Sequence, residues 1–185
     1  TVTVTVAPNS NTSILLYSFP QNSAPSVIDE DNHTVDISVV FGTDLTNLVA
    51  NYTLSLNAEA TVEGVLQESG VTANDFTEPV TYIITAQDGI TTQDWLVTVT
   101  EAQNTEANIE EFSFEEQTGP AVIDSINRII NIEVAFGTQL NGLIATFRTS
   151  DNAEAKVGVT VQESGVTPNN FNNDITYIVT SQDGS

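Results

Sequence analysis

Thr34-Val35-Asp36-Ile37-Ser38-Val39 places three β-branched apolar side chains on one side of an extended chain and Thr, Asp and Ser on the other. A period of two is the signature of a half-buried β-strand. The same alternation returns at Val80–Thr85 and at Leu96–Thr100. Between these runs stand turn formers: Asp31-Asn32, Phe41-Gly42-Thr43, Ser69-Gly70 and Asp88-Gly89. The chain holds 26 threonines, and β-branched residues suit a pleated surface. No stretch sustains the 3.6-residue period of a helix. Single helical turns are expected at most over 43–48 and 72–76. The reading over the first hundred residues is seven strands, near 14–19, 25–29, 34–40, 48–55, 60–66, 79–86 and 93–100. Seven short strands in about 90 residues predict an all-β, Ig-like antiparallel sandwich. The Cys-Trp-Cys pin of antibody domains is missing, since there is no cysteine.

Working outward, the chain falls on itself when shifted by 95 residues. Val27-Ile28-Asp29 meets Val122-Ile123-Asp124, and Phe41-Gly42-Thr43 meets Phe136-Gly137-Thr138. Asn57-Ala58-Glu59-Ala60 meets Asn152-Ala153-Glu154-Ala155, and Gln67-Glu68-Ser69-Gly70-Val71-Thr72 meets Gln162-Glu163-Ser164-Gly165-Val166-Thr167. Between 14/109 and 90/185, 37 of 77 pairs are identical. So dense a match means two copies of one domain, not two halves of one fold. Val2-Thr3-Val4-Thr5 also repeats Val97-Thr98-Val99-Thr100. The expected organisation is a closing strand of a preceding or neighbouring repeat over 1–6, repeat 1 over 7–100, an acidic linker over 101–108, and repeat 2 over 109–185 without its own closing strand. With no methionine, the chain is expected to be a processed product or part of a longer tandem array. Val2, Val4 and Val6 share one strand face. They are the candidates to complete an open sheet of a copy of the chain or an adjacent repeat, head to tail.

Charge narrows the partners. Three basic against 25 acidic side chains make a formal charge of −22 over 185 residues. Such a surface repels phosphate backbones, so nucleic acid is excluded as a partner. No apolar run reaches the roughly 18–20 residues of a membrane helix, so no membrane insertion is expected. Catalysis finds no footing. The single histidine, His33, lies in a turn and is replaced by Arg128 in the second copy. No Gly-rich phosphate loop precedes a helix. The chain is not expected to be an enzyme.

Calcium is the one cofactor that the residues suggest. Asp29, Glu30 and Asp31 form a dense run of hard oxygen donors, and Glu101, Glu106 and Glu110, with Glu111, crowd the junction between the copies. Against a site, no D-x-D-x-D-G loop is present, and Asp31 becomes Ile126. The expectation is no cofactor unless calcium is held there. Sugar binding usually needs an exposed aromatic. Here the aromatics recur in pairs, as Tyr17/Phe112, Phe19/Phe114, Phe41/Phe136, Tyr52/Phe147, Phe76/Phe171 and Tyr82/Tyr177, which reads as core. Lys156 matches Thr61, so no lysine-dependent cross-link is common to the copies. Asn11, Asn32 and Asn51 stand in N-glycan sequons.

The ordered motifs, from Val27-Ile28-Asp29 through Gln67–Thr72 to Gln87-Asp88-Gly89, resemble the tandem Ig-like, cadherin-like β-sandwich repeats of large Bacteroidota surface proteins and lipoproteins. The resemblance covers nearly the whole chain in both copies. It implies an extracellular, cell-surface location; separately, Asp124-Ser125-Ile126 resembles the short Asp-Ser/Thr-apolar acceptor for O-glycans in Bacteroidota, with Ser125 as the acceptor. It also implies a structural repeat of a surface fibre, stalk or adhesin, with filament assembly in view. The alternatives are a ligand-binding surface module for glycan or protein, or an accessory domain of a secreted enzyme.

Overall fold

The computed structural model describes residues 1–185 and divides into two compact units, Thr1–Ala102 and Gln103–Ser185. Unit 1 contains β1 (Ile14–Ser18), β2 (Val27–Asp29), β3 (Thr34–Val39), β4 (Leu48–Val49), β5 (Asn51–Leu54), β6 (Glu59–Val62), β7 (Val65–Leu66), β8 (Ala73–Asn74), β9 (Val80–Thr85) and β10 (Thr92–Glu101). Each strand expected from the sequence is present; most are shortened or divided where a turn interrupts them, and the last extends to Thr92–Glu101. The 60–66 run splits into β6 and β7 because Glu63 and Gly64 both adopt positive φ, the geometry of a tight hairpin. The helical turn expected near 43–48 is a 3-10 turn, Leu45–Asn47, capped by Asp44, whose carboxylate accepts from Thr46 N. The one expected at 72–76 is not helical. Its residues form β8, which pairs antiparallel with β4.

Six strands make the main sheet, in the order β2-β3-β10-β9-β6-β7, and the ladders β1–β5 and β4–β8 complete the sandwich. One pairing departs from the antiparallel expectation: β10 runs parallel to β3, Val97 beside Val35 and Val99 beside Ile37. Strand β3 and β10 are not hairpin partners, so nothing in the chain's connectivity obliges them to run in opposite directions. Strand β10 therefore sits mid-sheet, parallel to β3 on one side and antiparallel to β9 on the other. Its inward residues, Trp95, Val97 and Val99, are buried, as are Val35, Ile37 and Val39 of β3 and Tyr82 and Ile84 of β9. They belong to a cluster of sixteen buried apolar residues.

Tyr17 is wholly buried in that cluster, and its hydroxyl has no hydrogen-bond partner. Burial pushes its phenol pKa well up. Phe112 stands at the equivalent place in unit 2 and makes the same edge contact to the following tyrosine. An unpaired buried hydroxyl costs about 1–3 kcal/mol. Tyr17→Phe is therefore expected to leave unit 1 as stable as before or more so. Denaturant titration checks this, and a loss above about 1 kcal/mol would show that the hydroxyl is bonded after all.

Unit 2 contains β11 (Ile109–Ser113), β12 (Val122–Asp124), β13 (Ile129–Asn131), β14 (Asn141–Ile144), β15 (Thr146–Thr149), β16 (Glu154–Val157), β17 (Thr160–Val161), β18 (Pro168–Asn170) and β19 (Tyr177–Thr180). Its local ladders match unit 1, but its main sheet is in two pieces, β12-β13 and β17-β16-β19. No strand joins β13 to β19. Phe112, Phe114, Leu143 and Ala145 are its buried cluster. Ile130, Ile132, Val134 and Tyr177, expected in the core by their match to Val35, Ile37, Val39 and Tyr82, are only half-buried. Phe41 and Phe136 correct the core reading further. Phe41 is half-exposed and Phe136 fully exposed, so the repeated Phe-Gly-Thr is a turn motif and not a core anchor.

The segment read as a linker over 101–108 is divided. Glu101 finishes β10, whereas Asn104 is buried in unit 2. Its backbone N donates to Gln182 Oε1 at 2.9 Å and its Nδ2 to the Asp151 carbonyl at 3.0 Å. Asn9 makes the same clip in unit 1, to Gln87 Oε1 at 2.9 Å and the Leu56 carbonyl at 3.3 Å. Each unit is thus clipped by an asparagine ahead of its first strand. Neither unit has a helix long and apolar enough to cross a membrane.

Candidate functional site

Each unit carries the same open, shallow concavity. In unit 1, Tyr52, Leu54, Glu59, Gln67, Glu68 and Ser69 line it; in unit 2, Phe147, Arg148, Glu154, Gln162, Glu163 and Ser164. Its aromatic lining residue comes from β5 or β15, each paired in a two-stranded ladder with β1 or β11. Alternation along β5 turns Asn51 and Thr53 outward and leaves Tyr52 half-buried, and Phe147 repeats this in β15. Tyr52 stacks on Tyr17 with ring centres 5.9 Å apart, and Phe147 on Phe112 at 6.3 Å. Burial raises the Tyr52 phenol pKa to about 12, so that ring is neutral at physiological pH.

The copied loop Gln-Glu-Ser-Gly-Val-Thr forms one wall and explains itself in this setting. Ser69 Oγ accepts from Tyr52 N at 2.8 Å and donates to the Tyr52 carbonyl at 2.9 Å, clasping the strand that carries the ring. Gly70 has φ +76°, a conformation open to glycine, and its N donates to the Ala50 carbonyl. The Gln67 side chain is buried. Its Nε2 donates to the Val65 carbonyl at 3.1 Å, and its Oε1 accepts from Asn74 Nδ2 at 2.8 Å. The same Nδ2 reaches Tyr82 Oη at 3.1 Å. Unit 2 repeats the network with Gln162, Asn169 and Tyr177, and Ser164 Oγ accepts from Phe147 N at 2.8 Å. A buried amide left without these partners would be costly, which is a physical reason for the loop to stand unchanged in both copies. The sequence shows the copying and not this cause.

The rims are acidic. Glu59 and Glu68 are exposed in unit 1. The basic groups near the unit 2 concavity are engaged: Arg148 bonds Glu111 at 3.0 Å and pairs with Glu110, and Lys156 pairs with Glu154. The glutamates around Arg148 hold its pKa above the usual value.

The residues considered for calcium lie as follows. Asp29 Oδ1 accepts from Asp31 N at 2.9 Å and Asn32 N at 3.0 Å, and Oδ2 accepts from Asn32 Nδ2 at 2.8 Å. These bonds, led by the one from the Asn32 side chain, hold its pKa below the ordinary carboxylate value. The turn then closes through His33 at φ 55°, and unit 2 closes it through Arg128 at φ 57°. Glu30 accepts from Ser13 Oγ at 3.2 Å, and Asp31 is exposed. Glu101 ends β10, Glu106 N donates to Asn104 Oδ1, and Glu110 pairs with Arg148. No three of the chain's His, Asp or Glu side chains converge on a point that a metal would occupy. Ser125 is exposed in the β12–β13 turn, where Asp124 accepts from Ile126 N and Asn127 N. Val2, Val4 and Val6 are exposed and belong to no strand.

Comparison with known proteins follows the two-unit division. The family model "SGBP, N-terminal", the N-terminal domain of starch- and glycan-binding proteins, matches residues 14–99 and again 109–185. The chain belongs to this family. The match is to that domain in each unit and not to a cadherin-like repeat. No curated protein matches the chain. Among solved structures, a Bacteroides thetaiotaomicron protein provisionally described as a glycoside hydrolase shares 26% identity, with a TM-score of 0.42. The alignment covers 69% of this chain and 36% of that one. A provisionally described secreted protein from Bacteroides fragilis shares 18% identity over 51% of this chain and 98% of its own, with a TM-score of 0.38. Likeness at these TM-scores carries no conclusion about activity.

Proposed function

We propose that the chain is a non-catalytic, surface-located module of a Bacteroidota glycan-binding protein, and that the glycans it meets are neutral. One observation carries the reading: the glycan-binding family model matches both units, over residues 14–99 and 109–185. It favours the ligand-binding alternative over the fibre. The repeated concavity supports it, with a half-buried aromatic and exposed carboxylates among its lining residues. The preference for neutral chains follows from charge. At −22, with its rim carboxylates exposed, the surface repels polyuronates and sulfated glycans. A spacer that only positions a binding domain is the second reading. It is favoured by the shallowness of both concavities and by the way Tyr52 and Phe147 lean on the core.

Affinity electrophoresis and calorimetric titration against a panel of neutral polysaccharides and polyuronates test the proposal. Retardation by at least one neutral polysaccharide, and by no polyuronate at low salt, is the expected result. Binding confined to the anionic members would overturn the charge argument. If no member binds the 185-residue chain while a longer protein containing it binds, the spacer reading replaces this one.

A further inference from the structure

The two concavities share one frame but not one chemistry. Tyr52 in unit 1 stands where unit 2 has Phe147. Tyr52 bonds Ser69 through its backbone alone, and its half-buried ring carries a hydroxyl with no partner in the chain. Glu59 and Glu68 are exposed among the same lining residues, and unit 1 holds no lysine or arginine to pair with them. In unit 2 the equivalent of Glu59 is Glu154, which is paired with Lys156. Arg148, another lining residue there, is held by Glu110 and Glu111. Thr61 and Thr53 occupy those two basic positions in unit 1.

These differences bear on what each concavity can hold. A free carboxylate accepts from two neighbouring hydroxyls at once, and such charge-assisted bonds are the stronger kind. A phenol both donates and accepts, and its ring face offers an apolar contact. Part of the acceptor capacity of Glu154 is taken by an ammonium group, and Phe147 offers a ring with no hydroxyl. Unit 2 keeps the frame for another reason. Its Gln162–Asn169–Tyr177 network braces the fold whether or not the concavity holds anything.

Resting on the glycan-binding reading above, we propose that unit 1 alone carries the sugar site, with Tyr52, Glu59 and Glu68 as its contact residues. Unit 2 is then a copy that keeps the frame and does not bind. The ligand class is a neutral sugar whose adjacent hydroxyls are unsubstituted. Those hydroxyls donate to Glu59 and Glu68, the Tyr52 hydroxyl bonds a further one, and the C–H face of the sugar lies against the open part of the ring. Methylation of the sugar hydroxyls removes the donors, and with them the binding. One chain takes one ligand.

Calorimetric titration of the 185-residue chain with malto-, cello-, manno- and galactohexaose is the test. One ligand per chain is the expected stoichiometry, and the per-O-methylated form of the sugar that binds should not bind. Tyr52→Phe, the exchange that unit 2 makes itself, should weaken binding about three- to tenfold, the worth of one hydrogen bond. Glu68→Gln should weaken it at least as much, whereas Glu163→Gln in unit 2 should bind like the parent. The triple variant Phe147→Tyr, Arg148→Thr, Lys156→Thr gives unit 2 the unit 1 residues and should raise the stoichiometry to two. Each side chain of that triple variant is already housed at the equivalent place of the repeat, and an unchanged circular dichroism spectrum checks the fold. If none of the sugars binds, the inference and the glycan-binding reading beneath it fall together. Two ligands per parent chain, or parental affinity in Tyr52→Phe or Glu68→Gln, overturns the inference and leaves that reading standing. So does a triple variant that stays at one ligand.

Discussion

Trp95→Ala is expected to abolish, or nearly abolish, the stability of unit 1. Trp95 is 1% exposed at the middle of the main sheet, opposite Tyr82 in the ladder. Its Nε1 donates to the Thr12 carbonyl at 2.9 Å, and its ring meets His33 edge-on at 5.2 Å. Truncating a buried tryptophan to alanine costs about 3–5 kcal/mol. The whole stability of a domain is about 5–15 kcal/mol. The bond to Thr12 adds a second loss, because it ties the segment ahead of β1 to the sheet and leaves a carbonyl unpaired when it goes. Guanidinium titration followed by far-ultraviolet circular dichroism measures the effect. Trp95→Phe, which keeps most of the volume but not the donor, should fall between the two. Alanine at this position with a midpoint close to the parent's would show that β10 is not the keystone of unit 1.

The second large effect is a difference between the units in one molecule. Within the 185-residue chain, unit 2 is expected to melt well below unit 1. Val35, Ile37, Val39, Tyr82 and Ile84 are buried in the strands that flank β10, whereas their unit 2 counterparts Ile130, Ile132, Val134, Tyr177 and Val179 are only half-buried. At roughly 2 kcal/mol per fully buried side chain, half of that over five residues is roughly 5 kcal/mol. For a domain of this size each kcal/mol moves the melting temperature by about 4–8 °C, so the gap should exceed about 20 °C. Scanning calorimetry should resolve two transitions. The single tryptophan assigns them, since its fluorescence reports unit 1 alone and should follow the upper one. One coincident transition by both probes would mean that the units are coupled or equally stable, and would defeat the argument from burial.

Much of the local structure was legible from residue order. The period-two runs at 34–39, 80–85 and 96–100 are strands, and the Asp-Gly, Ser-Gly and Asp-Asn turns are turns, because both signals are local. The helical turn at 45–47 was visible for the same reason. At 72–76 a similar signal failed: two residues there found β4, and tertiary pairing overrode a weak local preference. The candidate concavity was less legible. Its aromatics were visible as repeated positions, but repetition alone assigns Tyr52 and Phe147 to the core with Tyr17 and Phe112. Whether a ring is half-open depends on what covers the other face of its strand. The copied Gln67–Thr72 loop was likewise visible, but its role as a brace depends on Asn74 and Tyr82 arriving from two other strands.

The sequence by itself determined the repeat, the all-β class, most strand positions and the −22 charge that bears on glycan choice. These depend on side-chain type and spacing within a few residues, or on a direct count. Only the tertiary structure decided the parallel seating of β10 between β3 and β9, and with it the burial of each neighbour. Val35 and Ile130, or Tyr82 and Tyr177, occupy equivalent places in the repeat, yet one of each pair is core and the other half-open. Burial belongs to the contact between strands some sixty residues apart in the chain, Val99 against Ile37, and no pattern within either strand contains it.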